Sequence, residues 1–134
     1  MPASSPRRFG RIALFVAFGA AALCIGALAW KPELALQGWI AAQRAQAGAI
    51  ERVVEVDGAR IVQLEAGPED APLVVLLHGF TGAKENWLPL MAELEGDYRV
   101  IAPDLPGWGE SARVAGADYG VVAQSDRINA WLAT

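Results

Sequence analysis

Five successive apolar residues, Leu73-Val-Val-Leu-Leu77, lie between the turn formers of Gly67–Pro72 and the pair His78-Gly79. Such a run is too short for a buried helix and does not alternate, so as a strand it needs apolar cover on both faces, as parallel strands do. From Lys84 to Glu95 the spacing turns helical, with Trp87, Leu90, Met91 and Leu94 on one side, Glu85, Glu93 and Glu95 on the other, and Gly96 as the stop. Tyr98–Ala102 then reads as a second buried strand. A strand, a helix and a strand in this order predict a parallel pair joined by a crossover, the unit of an α/β fold.

The flanking segments extend this pattern. Glu51–Val56 and Ala59–Glu65 enclose Asp57-Gly58, a dipeptide that tolerates the positive φ angles of a two-residue hairpin turn. After the Pro- and Gly-rich stretch from Pro103 to Gly116, Val122, Ile128, Trp131 and Leu132 recur at helical spacing towards Thr134. The predicted order is therefore a β-hairpin followed by strand, helix, strand and helix. Trp87 and Trp131 are read as core residues.

Ile12 to Trp30 is a 19-residue stretch without charge. As a helix rising about 1.5 Å per residue it roughly matches the ~30 Å hydrocarbon core of a bilayer. Arg7, Arg8 and Arg11 precede it and only Lys31 closely follows, so the positive-inside bias keeps the N-terminus cytoplasmic and carries the body across. Ala27-Leu28-Ala29 also has the small-x-small form of a signal-peptide cleavage site, and the alternative is secretion after cleavage. Three basic residues and no acid precede Lys31, whereas eight basic and fifteen acidic residues follow from there on, +3 against −7. The acidic body argues against a nucleic-acid partner, which needs clustered cations. The expected organisation is a basic tail over 1–11, a transmembrane anchor over 12–30, a juxtamembrane spacer helix over 31–50 with Leu34, Trp39 and Ile40 as a weak apolar stripe, and an α/β domain over 51–134.

Cys24, the one cysteine, excludes an internal disulfide and a Cys/His zinc site. Gly107-Trp-Gly109-Glu-Ser-Ala112 follows a strand and imitates a dinucleotide-binding turn, but Pro106 precedes it and no helical spacing follows. Ser111 lacks the glycine that a nucleophile elbow places two positions later, because position 113 is Arg. No cofactor or metal is expected.

A buried strand that ends in His78-Gly79 and opens towards a helix leaves backbone N–H groups at the carboxyl edge of the sheet, where they can stabilise a developing oxyanion. With Phe80-Thr81-Gly82 behind it and Asp104-Leu-Pro106-Gly107-Trp-Gly109-Glu-Ser111 after the next strand, the sequence resembles the N-terminal part of the α/β-hydrolase superfamily, from about Val53 onward. The HGFTGAKENW form behind one anchor is most similar to membrane-anchored monoacylglycerol lipase-type serine hydrolases. The resemblance implies hydrolysis of carboxylic esters, of acylglycerols or other lipids, by a serine nucleophile. Phe80 would give its backbone N–H to the oxyanion hole, His78 and Gly79 would shape that turn, and Asp104, Pro106, Gly107, Gly109 and Ser111 would form a structural loop. The partners it implies are the lipid bilayer and a small-molecule or lipid ester.

Nucleophile, acid and base are absent from these residues, which hold one His and no G-x-S-x-G, so the domain over 51–134 is expected to be incomplete and inactive alone. In the family's strand order, the outer edge of the Leu73–Leu77 strand would then be open and prone to aggregation. Two alternatives stand: an epoxide hydrolase or dehalogenase-type member with an Asp nucleophile, and a non-catalytic membrane-anchored binding module.

Overall fold

The computed structural model describes residues 16–19, 22, 26, 27 and 30–133. Most of the expected anchor over 12–30 lies outside the described residues, and among those described no helix is long and apolar enough to cross a membrane. The chain divides into two compact units, Met1–Trp39 and Ile40–Thr134.

Helix α1 spans Pro32–Gln46. Proline opens it without wasting an N–H, Glu33 lies in its first turn and Arg44 in its last, each opposite in sign to the helix dipole there. Gly38 does not interrupt it. The helix is shorter than the predicted spacer: Gly48, at φ +54, turns the chain out of it, and Ile50 already belongs to a strand. Of the expected apolar stripe, Leu34 and Trp39 are exposed, and only Ile40 packs on the core of the second unit.

In that unit, β1 (Ile50–Val56) and β2 (Ala59–Ala66) pair antiparallel, with Val56 opposite Ala59. Asp57 and Gly58 have φ of 51° and 74°, the two left-handed residues that a tight hairpin turn requires. Strands β3 (Leu73–Val75) and β4 (Arg99–Pro103) complete a four-stranded sheet in the order β1-β2-β4-β3. β3 and β4 are parallel, whereas β2 and β4 are antiparallel.

The sheet carries helices on both faces, as the continuous apolar strands demand. Val100 and Ala102 of β4 point to one side with Leu64 and Ala66 of β2, where Leu88, Met91 and Ala47 close over them. Ile101 points to the other side, where Ile61 and Val56 meet Ile128 and Trp131 of helix α3 (Val121–Leu132). The Trp131 indole N–H donates to Gln63 Oε1 at 2.7 Å, which lets a polar side chain sit buried on that face.

Several sequence expectations shift in this packing. The predicted helix 84–95 is a 3₁₀ turn over Lys84–Trp87 followed by α2 (Leu88–Leu94). Pro89 has no N–H to return to Glu85, so the Leu88 N–H bonds Glu85 O instead and the first turn tightens. That phase change buries Leu88 and leaves Leu90 exposed, the reverse of the simple periodicity. In α3, Val122 and Leu132 are exposed, while Ile128 and Trp131 carry the packing. The strand expected over Leu73–Leu77 runs from Leu73 to Val75 and stops there, with Leu76 N–H still reaching Ile101 O, and both Leu73 and Leu77 are exposed. β3 is the last strand in the sheet, so among the described residues no strand pairs with its outer edge.

Candidate active site

Two loops leave the carboxyl ends of the parallel strands. Residues 78–83 follow β3 and its short extension, and residues 104–120 follow β4.

His78 is buried, and both of its ring nitrogens are engaged. Nε2 accepts the Leu105 N–H at 2.9 Å, which leaves the ring proton on Nδ1, 2.9 Å from Gly79 O. An imidazole fixed in this way joins the two loops and has no free lone pair with which to act as a base. Gly79 to Gly82 form a tight turn closed by Gly82 N–H to Gly79 O at 3.0 Å, with Thr81 at φ 62°. A side chain at Gly82 would stand 2.9 Å from His78 Cβ, so the turn can close against the histidine only with glycine there. Phe80, the second residue of this turn, is 87% exposed, and its N–H has no acceptor among the described residues.

The far end of the first loop is clamped by Asp104, which is fully buried. Its Oδ1 accepts the Lys84 N–H at 2.9 Å, and its Oδ2 accepts Lys84 Nζ and the Glu110 N–H, each at 2.9 Å. Burial by itself would raise the Asp104 pKa, but the N–H groups of Glu110 and Lys84 and then the ammonium outweigh it and hold the carboxyl below its ordinary range. Lys84 is buried as well; desolvation pulls its pKa down, and the bonds to Glu110 and Asp104 more than reverse that, so it stays charged. Its Nζ also lies 2.5 Å from Glu110 and 3.1 Å from Glu85. The bond to Lys84 in turn lowers the Glu110 pKa. Arg44 of α1 reaches Glu85 at 2.5 Å and Glu51 at 3.0 Å, so one ionic network joins helix, hairpin and both loops.

Glu51, Glu85 and Glu110 bring carboxylate oxygens within 4.8 Å of one another. The Lys84 ammonium and the Arg44 guanidinium are bonded to these same carboxylates and already supply the positive charge that a metal ion would bring.

Ser111 is buried beneath the second loop. Its Oγ donates to Asp104 O at 2.7 Å and accepts the Val62 N–H at 2.9 Å, so the hydroxyl ties the loop to β2 and is not presented to a substrate. Gly109, at φ 50°, passes so close to the Asp104 carboxylate that a Cβ would stand 2.2 Å from it. Gly107 lies against the Tyr119 ring, and Pro106 O accepts Gln124 Nε2 at 2.7 Å. The structure thus gathers His78, Gly79, Phe80, Asp104, Pro106, Gly107, Gly109 and Ser111 at one edge of the sheet. Sequence reasoning missed Lys84, Arg44, Glu85 and Glu110. No local pattern announces them, since their partners are far away in the chain; only the adjacency of Lys84 to the Gly-rich turn was a signal.

Residues 72–134 match the family described as alpha/beta hydrolase fold. A crystal structure described as a membrane phospholipase A and bacterial virulence factor is similar at a TM-score of 0.74 and 35% identity, over 92% of this chain and 40% of that one. Over residues 72–134 the sequence thus matches the α/β-hydrolase superfamily. Lipase 1 of Psychrobacter immobilis is 38% identical over 80 residues, 60% of this chain and 25% of the lipase. Epoxide hydrolase A of Mycobacterium tuberculosis is 41% identical over 66 residues, 47% of this chain and 20% of that enzyme. The matched part of this chain spans a quarter or less of the length of these curated relatives, and the similarity is to hydrolases of lipase and esterase type among others.

Proposed function

We propose that this chain supplies the oxyanion side of a membrane-anchored hydrolase of carboxylic esters, with acylglycerols or related lipid esters as substrates, of the monoacylglycerol-lipase type. The observation that carries the reading is the Phe80 N–H, unpartnered at the exposed crest of a turn whose two ends are fastened by buried groups. When a nucleophile adds to an ester carbonyl, its oxygen gains a full charge. A donor already fixed at that point needs no reorganisation, and one such donor is worth about 2.7–4 kcal/mol. His78 and Gly79 set the direction of the turn, and Asp104 with Lys84 holds its far end. Phe80 would meet the substrate through its main chain.

Serine nucleophile, acid and base would come from outside residues 1–134, which contain one His and no G-x-S-x-G. The uncharged run Ile12–Trp30 behind Arg7, Arg8 and Arg11 would hold the body on the non-cytoplasmic side of the bilayer, or release it there after cleavage. The likeness to a protein described as a membrane phospholipase A supports a lipid ester met at a bilayer. The relative named as an epoxide hydrolase supports a second reading, ring opening by an Asp nucleophile on the same scaffold.

The test is made on the uninterrupted reading frame of the gene, assayed in its membrane fraction on p-nitrophenyl butyrate. A turn with a left-handed third residue accepts proline at its second position, so Phe80→Pro removes the N–H with little strain. It should lower kcat by about 100- to 1000-fold, whereas Phe80→Ala, which keeps the N–H and loses only the ring, should cost no more than about 10-fold. Undiminished turnover in Phe80→Pro would sink the oxyanion assignment. Opening of styrene oxide without ester hydrolysis would favour the second reading.

A further inference from the structure

Of the turn that carries the proposed oxyanion donor, the two ends are held by hydrogen bonds, through His78 to Leu105 and through Lys84 to Asp104. The crest is not. Among the described residues Phe80 is held only through its ring, which stands edge-on to Trp108 at 6.4 Å between centroids with an interplanar angle of 72°. Trp108 in turn stands edge-on to Tyr119 at 6.0 Å and 85°. Such T-shaped pairs set the positive edge of one ring on the negative face of the next, so they fix orientation as well as distance.

Tyr119 is anchored where Phe80 is not. Its hydroxyl accepts the Val114 N–H at 2.7 Å and lies 3.2 Å from Val114 O, to which it donates. Its ring carries the Arg127 guanidinium 5.2 Å from the centroid, with Arg127 itself bonded to Asp118 O at 2.6 Å. The ring is also pressed on Gly107, the residue before Trp108, so closely that a Cβ there would approach Tyr119 to 2.5 Å. Gly107 has φ 92°, which no other residue adopts without strain. The glycine therefore lets the Tyr119 ring lie against the backbone just before Trp108 while it stands edge-on to the indole.

We infer that Tyr119 is a positioning residue for the Phe80 N–H and acts on it through Trp108. The inference rests on the oxyanion reading of Phe80 and adds to it the element that fixes the donor's direction. The three rings form a strut from the start of α3 to the crest of the turn. Removing the last ring frees Trp108, and through it the torsion angle about which the Phe80 N–H swings. An edge-on pair is worth little singly, so the expected loss of turnover is about 2- to 10-fold. It should fall on kcat with KM unchanged, because the donor strengthens its bond only as charge develops.

The direct readout is the Phe80 amide itself. The chain has four phenylalanines, Phe9, Phe15, Phe18 and Phe80, so selective ¹⁵N-Phe labelling of the full chain gives four amide signals, and Phe80→Ala identifies the one of interest. Tyr119→Leu should displace that signal and speed its exchange with solvent. Tyr119→Phe, which restores the ring, should return it towards its original position. Trp108→Leu, which cuts the middle of the strut and leaves the Tyr119 anchors in place, should displace the signal as Tyr119→Leu does. An unmoved Phe80 signal in both leucine variants overturns the inference, as does a moved signal with unchanged kcat in the enzyme from the uninterrupted reading frame. If Phe80→Pro slows the enzyme and Tyr119→Leu does not, this inference alone fails; if Phe80→Pro is harmless, the oxyanion reading fails.

Discussion

Replacing Lys84 by methionine removes one buried charge and leaves its shape. In the native arrangement, Lys84 Nζ lies 2.9 Å from Asp104, 2.5 Å from Glu110 and 3.1 Å from Glu85. The three carboxylates differ in their access to water: the Asp104 side chain is fully buried, while those of Glu85 and Glu110 are 21% and 58% exposed. The two glutamates can rehydrate when the ammonium is lost, and such partly exposed pairs contribute about 0–1 kcal/mol each. Asp104 cannot rehydrate. Breaking a buried pair by removing one partner costs about 3–5 kcal/mol. Because Asp104 keeps the N–H groups of Lys84 and Glu110, the lower end applies, about 3 kcal/mol. For a unit of about 95 residues, Ile40–Thr134, each kcal/mol moves the melting temperature by about 4–8 °C. Lys84→Met should therefore melt about 12–24 °C below wild type when followed by circular dichroism. Asp104→Asn should fall at least as far, since its amide would face the Glu110 N–H and the ammonium as donor against donors. The double variant should lose less than the sum of the two. A drop below about 4 °C in Lys84→Met, or strict additivity in the double variant, would refute the argument that this pair closes the loops.

The same network predicts a pH dependence. The Asp104 and Glu110 pKa values are lowered from their ordinary 3.8 and 4.5, so their contribution is present above those values and is lost as pH falls through the folded ones. The Lys84 pKa is raised from 10.5, so its contribution is present below that value and is lost as pH rises through the folded one. Melting temperature against pH should thus fall on the acid side below about 4.5 and again above about 10.5, and Lys84→Met should flatten the acid limb. Ser111 offers a separate check. With its hydroxyl committed to Asp104 O and Val62 N–H, a fluorophosphonate probe should leave it unmodified, and a mass-spectrometric adduct on Ser111 would contradict the assignment.

The fold was legible where chemistry is local. Asp57-Gly58 announces the hairpin because few dipeptides accept two positive φ angles in succession. Leu73–Leu77 and Tyr98–Ala102 announce a parallel pair because nothing else hides so many adjacent apolar side chains. The phase of the intervening helix was not legible by counting. Pro89 forces a 3₁₀ turn before it and rotates Leu88 into the place periodicity assigns to Leu90. The backbone of the candidate site could be read from the glycines and His78. Its electrostatic frame could not, because Arg44 meets Glu85 and Lys84 meets Asp104 across spans that no window of sequence contains. The solvent-facing Val122 and Leu132 show the same limit, since a hydrophobic letter at helical spacing does not reveal whether an opposing surface exists.

The edge position of β3 fixes a parity. Pro72 O receives the Arg99 N–H at 3.1 Å, and the Leu76 N–H goes to Ile101 O at 2.9 Å, so the even-numbered peptide groups face β4. Since successive residues alternate in a ladder, the N–H and C=O groups of Leu73, Val75 and Leu77 face outward. A strand that joins this side would bond to this outward set and not to the groups that face β4. A single inserted residue between Val74 and Val75 would exchange the two sets and turn the β4-bonded groups at one end towards the open side. The segment can thus tolerate substitution far better than insertion, and the step from β3 to His78 sets the rotational position of the whole turn that follows.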